Sequence, residues 1–258
     1  MPTGPANQGY ALPSITATVS AAAAVVRAAA IGANLSSYEL PAKPRAVVDQ
    51  SNLPCCVSCA LGAAMEIMNP NWPALAPLFH YYVARYEDGG ANSDGYLFLD
   101  SALGTLTLKG ICRSDLHDEP YTQIGAATKP TAPAYADGRS RALGRRGVRF
   151  RYVRSTGSSN VAWIREQLMQ DRPVVIGIQL PMSYPNSFLN ERFEWADPDS
   201  SSRSASGHCV LTIGYSDARQ AVHIQDSHGA ASFEKGSWWM GYRVVDSSVV
   251  QDVYGLLP

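Results

Sequence analysis

Apolar and polar positions follow different periods in the two halves of this chain. In the first half, apolar residues recur with the period of an α-helix and predict helices over residues 57–68, 75–86 and 97–108. In the second half, short apolar runs predict strands over residues 148–153, 174–180, 208–215, 221–226 and 238–245, with one helix over 161–170. Because helices come first and strands follow without regular alternation, the pattern predicts an α+β fold rather than a doubly wound parallel sheet.

Two stretches interrupt this pattern. Residues 1–40 are rich in small residues and carry almost no charge, which predicts an N-terminal extension that can form a helix. Residues 122–138 are rich in Ala, Pro, Thr and Gly and predict a connection between two lobes. We therefore expect one domain over residues 41–258, with a helical lobe over about 50–125 and a strand-rich lobe over about 135–250.

The charge balance argues against two classes of partner. The 258 residues carry 21 basic and 22 acidic side chains, so no overall field favours nucleic acid or an anionic membrane. The Arg-rich residues 139–154 are interpreted as a solvated face. No Lys or Arg precedes Arg27, which interrupts the longest apolar stretch, so neither a secretory signal nor a transmembrane helix is predicted. We expect a cytoplasmic protein, or an effector-like protein exported without a cleaved signal peptide.

The cysteines are an odd number, and three of them crowd into five positions, which indicates reduced thiols rather than a disulfide framework. The Cys56–Cys59 spacing has no matching second pair, whereas a zinc site usually needs four ligands. His223 and His228 flank Asp226 and could form a metal cluster, but a strand pattern around His223 favours a packing role. We therefore expect neither a metal nor another cofactor.

One set of residues has the order and chemistry of a thiol nucleophile with its base. Cys56 lies at the start of the predicted helix over residues 57–68, where free N–H groups and partial positive charge stabilise a thiolate. His208 begins a strand and follows the small residue Gly207. Asp226 ends the next strand, and two strands joined by a short turn tend to pair antiparallel, which would bring Asp226 near His208.

The segment DQSNLPCCVSCALGAAME, residues 49–66, resembles the nucleophile segment of the papain family of cysteine peptidases, particularly its bacterial members. In that family an oxyanion-binding Gln stands six residues before the catalytic Cys. The same spacing from Gln50 selects Cys56 rather than Cys55 or Cys59. The resemblance therefore implies that Cys56 is the nucleophile and that Gln50 helps to hold the oxyanion.

The resemblance continues in family order over about residues 45–245, through residues 77–86, 94–121, SGHCVLTIGY (206–215) and 226–242. It implies a papain-like two-lobed fold, with a helical lobe, an antiparallel sheet or barrel lobe and the active site between them. It further implies a cysteine endopeptidase with a Cys56–His208–Asp226 triad. Gly95 and Gly207 are implied to bind an extended peptide or protein substrate.

Three residues depart from the family pattern. Asp226 stands where the family usually has Asn, His228 where it has the Trp that shields the triad, and Val57 where many members have an aromatic residue. These departures leave two alternatives open: a related acyl transfer such as ligation, deamidation or isopeptide cleavage, and a weakly active binding module on a papain-like scaffold. The N-terminal extension is predicted either to be inert or to cover the cleft.

Overall fold

Helices dominate the first half of the structure and strands the second. The computed structural model describes residues 35–87, 97–144, 151–154, 159–181, 189–196, 198 and 203–257. The α-helices are α1 (Cys56–Met68), α2 (Pro77–Tyr82), α3 (Leu99–Lys109), α4 (Gln123–Ala127), α5 (Ala132–Ser140), α6 (Asn160–Leu168) and α7 (Tyr242–Val245). The strands are β1 (Ser37–Glu39), β2 (Arg151–Arg154), β3 (Val174–Pro181), β4 (Glu194–Trp195), β5 (Arg203–Ser216), β6 (Ala221–Gln225), β7 (Ser237–Gly241) and β8 (Val250–Leu257). The predicted α+β fold is therefore confirmed.

The eight strands form a single sheet built around the long strand β5. The strand order is β2-β8-β3-β5-β6-β7-β4, and β1 pairs with the end of β5 beyond β3. Every pair is antiparallel except β4 with β7. The predicted pairing of β5 with β6 is present, with a register that runs from Leu211 opposite Gln225 to Ser216 opposite Ala221.

Helix α1 packs against β5 and is buried along nearly its whole length. Leu61 and Met65 are fully buried, and burying each such side chain contributes about 1.5–3 kcal/mol. Its small residues allow close approach, since a Cβ on Gly62 would already touch Ile111 and Pro77. This packing fixes the start of α1 against the middle of the sheet.

The predicted connection over residues 122–138 is wrong, because it contains most of two short helices. Thr122 accepts a hydrogen bond from the backbone N–H of Gly125, and Thr131 accepts one from Ala134, so each Thr caps a helix N-terminus. Helix α5 packs closely against α2: a Cβ added to Gly138 of α5 would collide with the ring of Phe79 of α2.

Other boundaries also differ from the sequence pattern. The predicted strand over 238–245 ends at Gly241, and α7 follows it. The predicted helix over 75–86 begins at Pro77 and continues after Tyr82 as a π-helix, Val83–Glu87. No helix within the described ranges is long and apolar enough to cross a membrane. Residues 1–34, which make up most of the predicted N-terminal extension, lie outside the described residues.

Candidate active site

Cys56 is the first residue of α1. Cys55 stands at the N-cap without a side-chain capping bond, and the first turn of the helix holds no acidic residue. The backbone N–H groups of this turn and the helix dipole therefore point toward the thiol without a competing carboxylate. A helix N-terminus is one of the environments in which reactive cysteines are found.

His208 lies on β5 and faces the start of α1. The packing of α1 on this strand brings the Cys56 sulfur into hydrogen-bond contact with the His208 ring. The other edge of the ring is held by Asp226, with 3.0 Å between His208 Nε2 and Asp226 Oδ1. Because Nε2 is engaged by the carboxylate, Nδ1 is the nitrogen that meets the thiol. The structure thus brings together the three residues that the sequence predicted as a triad.

Asp226 follows β6 and accepts hydrogen bonds on both carboxylate oxygens. Oδ1 lies 3.0 Å from His208 Nε2, 2.7 Å from His228 Nδ1 and 2.7 Å from the backbone nitrogen of Ser227. Oδ2 accepts a bond of 2.7 Å from the indole N–H of Trp238. This set of donors fixes the carboxylate against the His208 ring and compensates for its burial.

The charges of His208 and Asp226 are mutually stabilised. Burial alone would lower the pKa of His208, but the charge and hydrogen bond of Asp226, together with Cys56, raise this pKa to about 10. Burial alone would raise the pKa of Asp226, but His208 and then His228 hold it well below its usual range. The arrangement favours an imidazolium on His208 beside the Asp226 carboxylate.

Gln50 is buried beside the segment that carries Asp226. Its backbone N–H donates to the carbonyl of Ser227 at 2.8 Å, and its Oε1 accepts from the Ser227 hydroxyl at 2.5 Å. Its Nε2 donates to the carbonyl of Leu53 at 2.7 Å. Since a primary amide has two N–H groups, this bond orients the second one without consuming it. The side chain is therefore fixed in one orientation ahead of the α1 N-terminus.

Of the two predicted substrate-binding glycines, Gly207 lies within the described residues and Gly95 does not. Gly207 is exposed, precedes His208 on β5 and lies opposite Gln179 of β3. Its open face leaves backbone next to the imidazole accessible. Gly95 lies outside the described residues.

The histidines and cysteines that the sequence offered as possible metal ligands do not all lie together. His223 lies away from Asp226: its Nδ1 is 2.6 Å from Glu39 Oε1, and its ring stacks on Trp239. All five cysteines are buried and free, and the sulfurs of Cys55 and Cys59 lie 3.8 Å apart. The ligand atoms of His208, Asp226 and His228 lie within 4.8 Å of one another, a spacing that their mutual hydrogen bonds account for.

Sequence reasoning missed two donors at this site. Trp238, the first residue of the predicted strand over residues 238–245, is fully buried and donates its indole N–H to Asp226. Ser227 joins Asp226 and Gln50 through its backbone and hydroxyl groups. The contact of Ser227 with Asp226 could have been predicted, because the two residues are adjacent in the sequence. The contact of Trp238 could not, because it depends on how β7 packs.

Comparisons with known proteins bear on the fold that carries this site. A family model described as the Peptidase_C39 like family matches residues 116–243, a span that contains His208 and Asp226 but not Cys56. The search of curated proteins found no match.

Solved structures of cysteine proteases share the fold. Xylellain, a cysteine protease from Xylella fastidiosa, is 23% identical with a TM-score of 0.74, and the match covers 88% of each chain. Procathepsin L 3 of Tenebrio molitor is 15% identical with a TM-score of 0.61, covering 86% of this chain and 70% of its own. Bromelain from Ananas comosus is 16% identical with a TM-score of 0.57, covering 85% of this chain and 97% of its own. These likenesses, with the partial family match, confirm the resemblance seen in the sequence: the chain has the papain-like fold of cysteine peptidases.

Proposed function

We propose that this chain is a cysteine endopeptidase that hydrolyses peptide bonds through a thiol acyl-enzyme. The observation that carries the proposal is the continuous contact from the Cys56 thiol through the His208 ring to the buried carboxylate of Asp226. A nucleophile, a base and a group that orients the base are the minimum set for this chemistry.

The geometry supports a two-step reaction. The Cys56 thiolate attacks the carbonyl carbon of the scissile bond, and the oxyanion accepts hydrogen bonds from the Cys56 backbone N–H and the Gln50 side chain. His208 gives its proton to the leaving amine as the C–N bond breaks and a thioester forms. His208 then takes a proton from a water molecule as that water attacks the thioester carbonyl. The C–S bond breaks, the acid is released and the Cys56 thiolate is regenerated.

The proposed substrate is an extended peptide or protein segment. The exposed backbone at Gly207 offers hydrogen bonds to a peptide that runs past His208, a mode in which main-chain bonds supply affinity. Gly95 is assigned to the opposite edge by the sequence resemblance alone. Two of the structural relatives are proforms, procathepsin L 3 and the ragweed allergen Amb a 11. Of the two alternatives for residues 1–40, they favour an extension that limits access to the site over an inert one.

Covalent labelling tests the nucleophile. E64, the inhibitor bound in the bromelain structure, should alkylate the folded protein once, and peptide mapping should place the adduct on Cys56. Cys56→Ala should abolish labelling and hydrolysis of a peptide library. The matched variant Cys59→Ala, which removes a buried thiol of the same helix, should retain both.

Three results would count against the proposal. Labelling at Cys59, or hydrolysis that survives in Cys56→Ala, would overturn the assignment of the nucleophile. Binding of library peptides without turnover would instead favour the weakly active binding module. Products that incorporate an added amine would favour ligation or another acyl transfer over hydrolysis, because these reactions use the same catalytic groups.

A further inference from the structure

His228 is held beside the triad by the chain that leads to α1. Its backbone forms an antiparallel bridge with Asp49, and the N–H of the following Gly229 donates to the carbonyl of Val48 at 2.9 Å. The Asp49 side chain lies against Gly229, where a Cβ would come within 3.1 Å of it. The position of the imidazole is therefore set by backbone pairing.

The His228 ring shares one carboxylate oxygen with His208. Asp226 Oδ1 lies 2.7 Å from His228 Nδ1 and 3.0 Å from His208 Nε2, and the two rings meet edge to face with centroids 5.4 Å apart. The side chains of His208 and Asp226 are 4% and 0% exposed, whereas that of His228 is 23% exposed. Of the two imidazoles that contact this carboxylate, His228 is thus the one in contact with solvent.

On the basis of the proposed peptidase function, we propose that His228 is a positioning residue that orients Asp226 and couples solvent pH to the Cys56–His208 ion pair. Its Nδ1–H fixes the carboxylate that in turn fixes the His208 ring. An imidazole can gain a proton in the physiological pH range, whereas the Trp that the family carries at this position cannot.

The sign of the coupling follows from the arrangement of charges. Among the described residues, the titratable groups placed beside His228 are Asp226 on its own segment, His208 on β5, and Asp49, whose backbone pairs with that of His228 on the chain before α1. Cys56 lies beyond His208, on the other edge of that ring. A proton on His228 therefore places a positive charge nearer to the His208 imidazolium than to the thiolate, and it disfavours the ion pair. As the pH falls, activity should therefore be lost through two protonations: that of the Cys56–His208 ion pair and that of His228.

Two substitutions separate positioning from titration. In His228→Asn the amide nitrogen can replace Nδ1 as a donor, but it cannot gain a proton. We expect kcat/KM at neutral pH within about threefold of the wild type and an acid limb with one ionisation fewer. His228→Leu removes the donor, and we expect a loss of about tenfold in kcat with little change in KM, the effect of losing one bond to a charged group. His223→Asn, at a histidine paired with Glu39 instead, should leave the pH profile unchanged.

The outcomes distinguish this proposal from the proposed function. Superimposable pH profiles of the wild type and His228→Asn, or an unchanged kcat in His228→Leu, would overturn it. Ring-nitrogen NMR of the folded protein requires no turnover: acid titration should move the His208 resonances in two steps in the wild type and in one step in His228→Asn. If hydrolysis is absent but the two-step titration is present, the peptidase assignment fails while the coupling stands. A one-step titration in both proteins refutes the coupling.

Discussion

Among the described histidine–carboxylate pairs, two have their histidine on a strand of this sheet, and the shorter of these two pairs is not the one with the larger electrostatic effect. His208 on β5 meets Asp226 at 3.0 Å, whereas His223 on β6 meets Glu39 of β1 at 2.6 Å. The side chains of the second pair are 17% and 44% exposed, while those of the first are almost fully buried. Burial strengthens the field between the partners of the first pair, and water screens the second.

The partners of each carboxylate differ as well. Asp226 accepts from two histidines, a backbone N–H and an indole, and its His208 partner also contacts a thiol. Glu39 accepts from His223 and from Lys43 at the protein surface. A histidine–carboxylate pair becomes a candidate active site when it is buried, fully hydrogen-bonded and connected to a nucleophile. Bond length alone does not identify it.

The largest expected effect comes from removing the buried carboxylate. Asp226→Ala leaves the donors of His208, His228 and Trp238 without their acceptor. We expect a loss of about 3–5 kcal/mol in the free energy of unfolding, the usual result of breaking a buried ion pair, measured by denaturant titration. We also expect kcat/KM to fall by at least about 100-fold, since His208 loses its orientation.

Asp226→Asn is the matched control for this substitution. Its amide keeps an oxygen that can accept from His208 and restores the residue that the papain family usually has. We expect it to be more stable and more active than Asp226→Ala. Equal stability and activity in the two variants would show that a hydrogen-bond acceptor at this position is unimportant.

The pH dependence of stability should come next in size. The pKa of His208 is raised from 6.5 to about 10, so its stabilising contribution is fully present below about pH 6.5 and is lost as the pH rises through about 10. The pKa of Asp226 is lowered from 3.8, so its contribution is present above that pH and is lost in stronger acid. Both contributions should therefore be fully present between about pH 4 and 6.5.

Denaturant titrations between about pH 6.5 and 10 test the contribution of His208 to stability. The free energy of unfolding of the wild type should decline between about pH 6.5 and 10 more steeply than that of His208→Asn, whose amide does not titrate. Other groups also ionise in this range, so the difference between the two proteins carries the test. Parallel curves would contradict the raised pKa of His208.

The parts of the site that the sequence predicted are the local ones. Cys56 opens a helix whose Ala, Leu and Met residues favour that conformation, and His208 and Asp226 belong to one hairpin closed by a short turn. Propensity and turn geometry act over a few residues, so they can be read from the chain. The antiparallel pairing of β5 with β6 and the contact between His208 and Asp226 were predicted for this reason.

The parts that were missed depend on distant packing. Helices α4 and α5 are five and nine residues long, too short to be stable in isolation, and they are fixed by Thr caps and by contact with other helices. Strand β8 pairs between β2 and β3, which precede it by many residues. Trp238 reaches Asp226 only because β7 lies beside β6. No periodicity within a short window could indicate these contacts.

The smallest expected effect is at the surface pair. His223 and Lys43 hold the pKa of Glu39 below its usual range in spite of its partial burial, but exposed ion pairs contribute only about 0.2–1 kcal/mol. Glu39→Ala should therefore lower the free energy of unfolding by less than about 1 kcal/mol and leave kcat/KM unchanged, as measured by denaturant titration and peptide hydrolysis. A loss comparable to that in Asp226→Ala would mean that Glu39 anchors β1 to the sheet strongly enough to affect the site. In that case burial could not explain the difference in effect between the two histidine–carboxylate pairs.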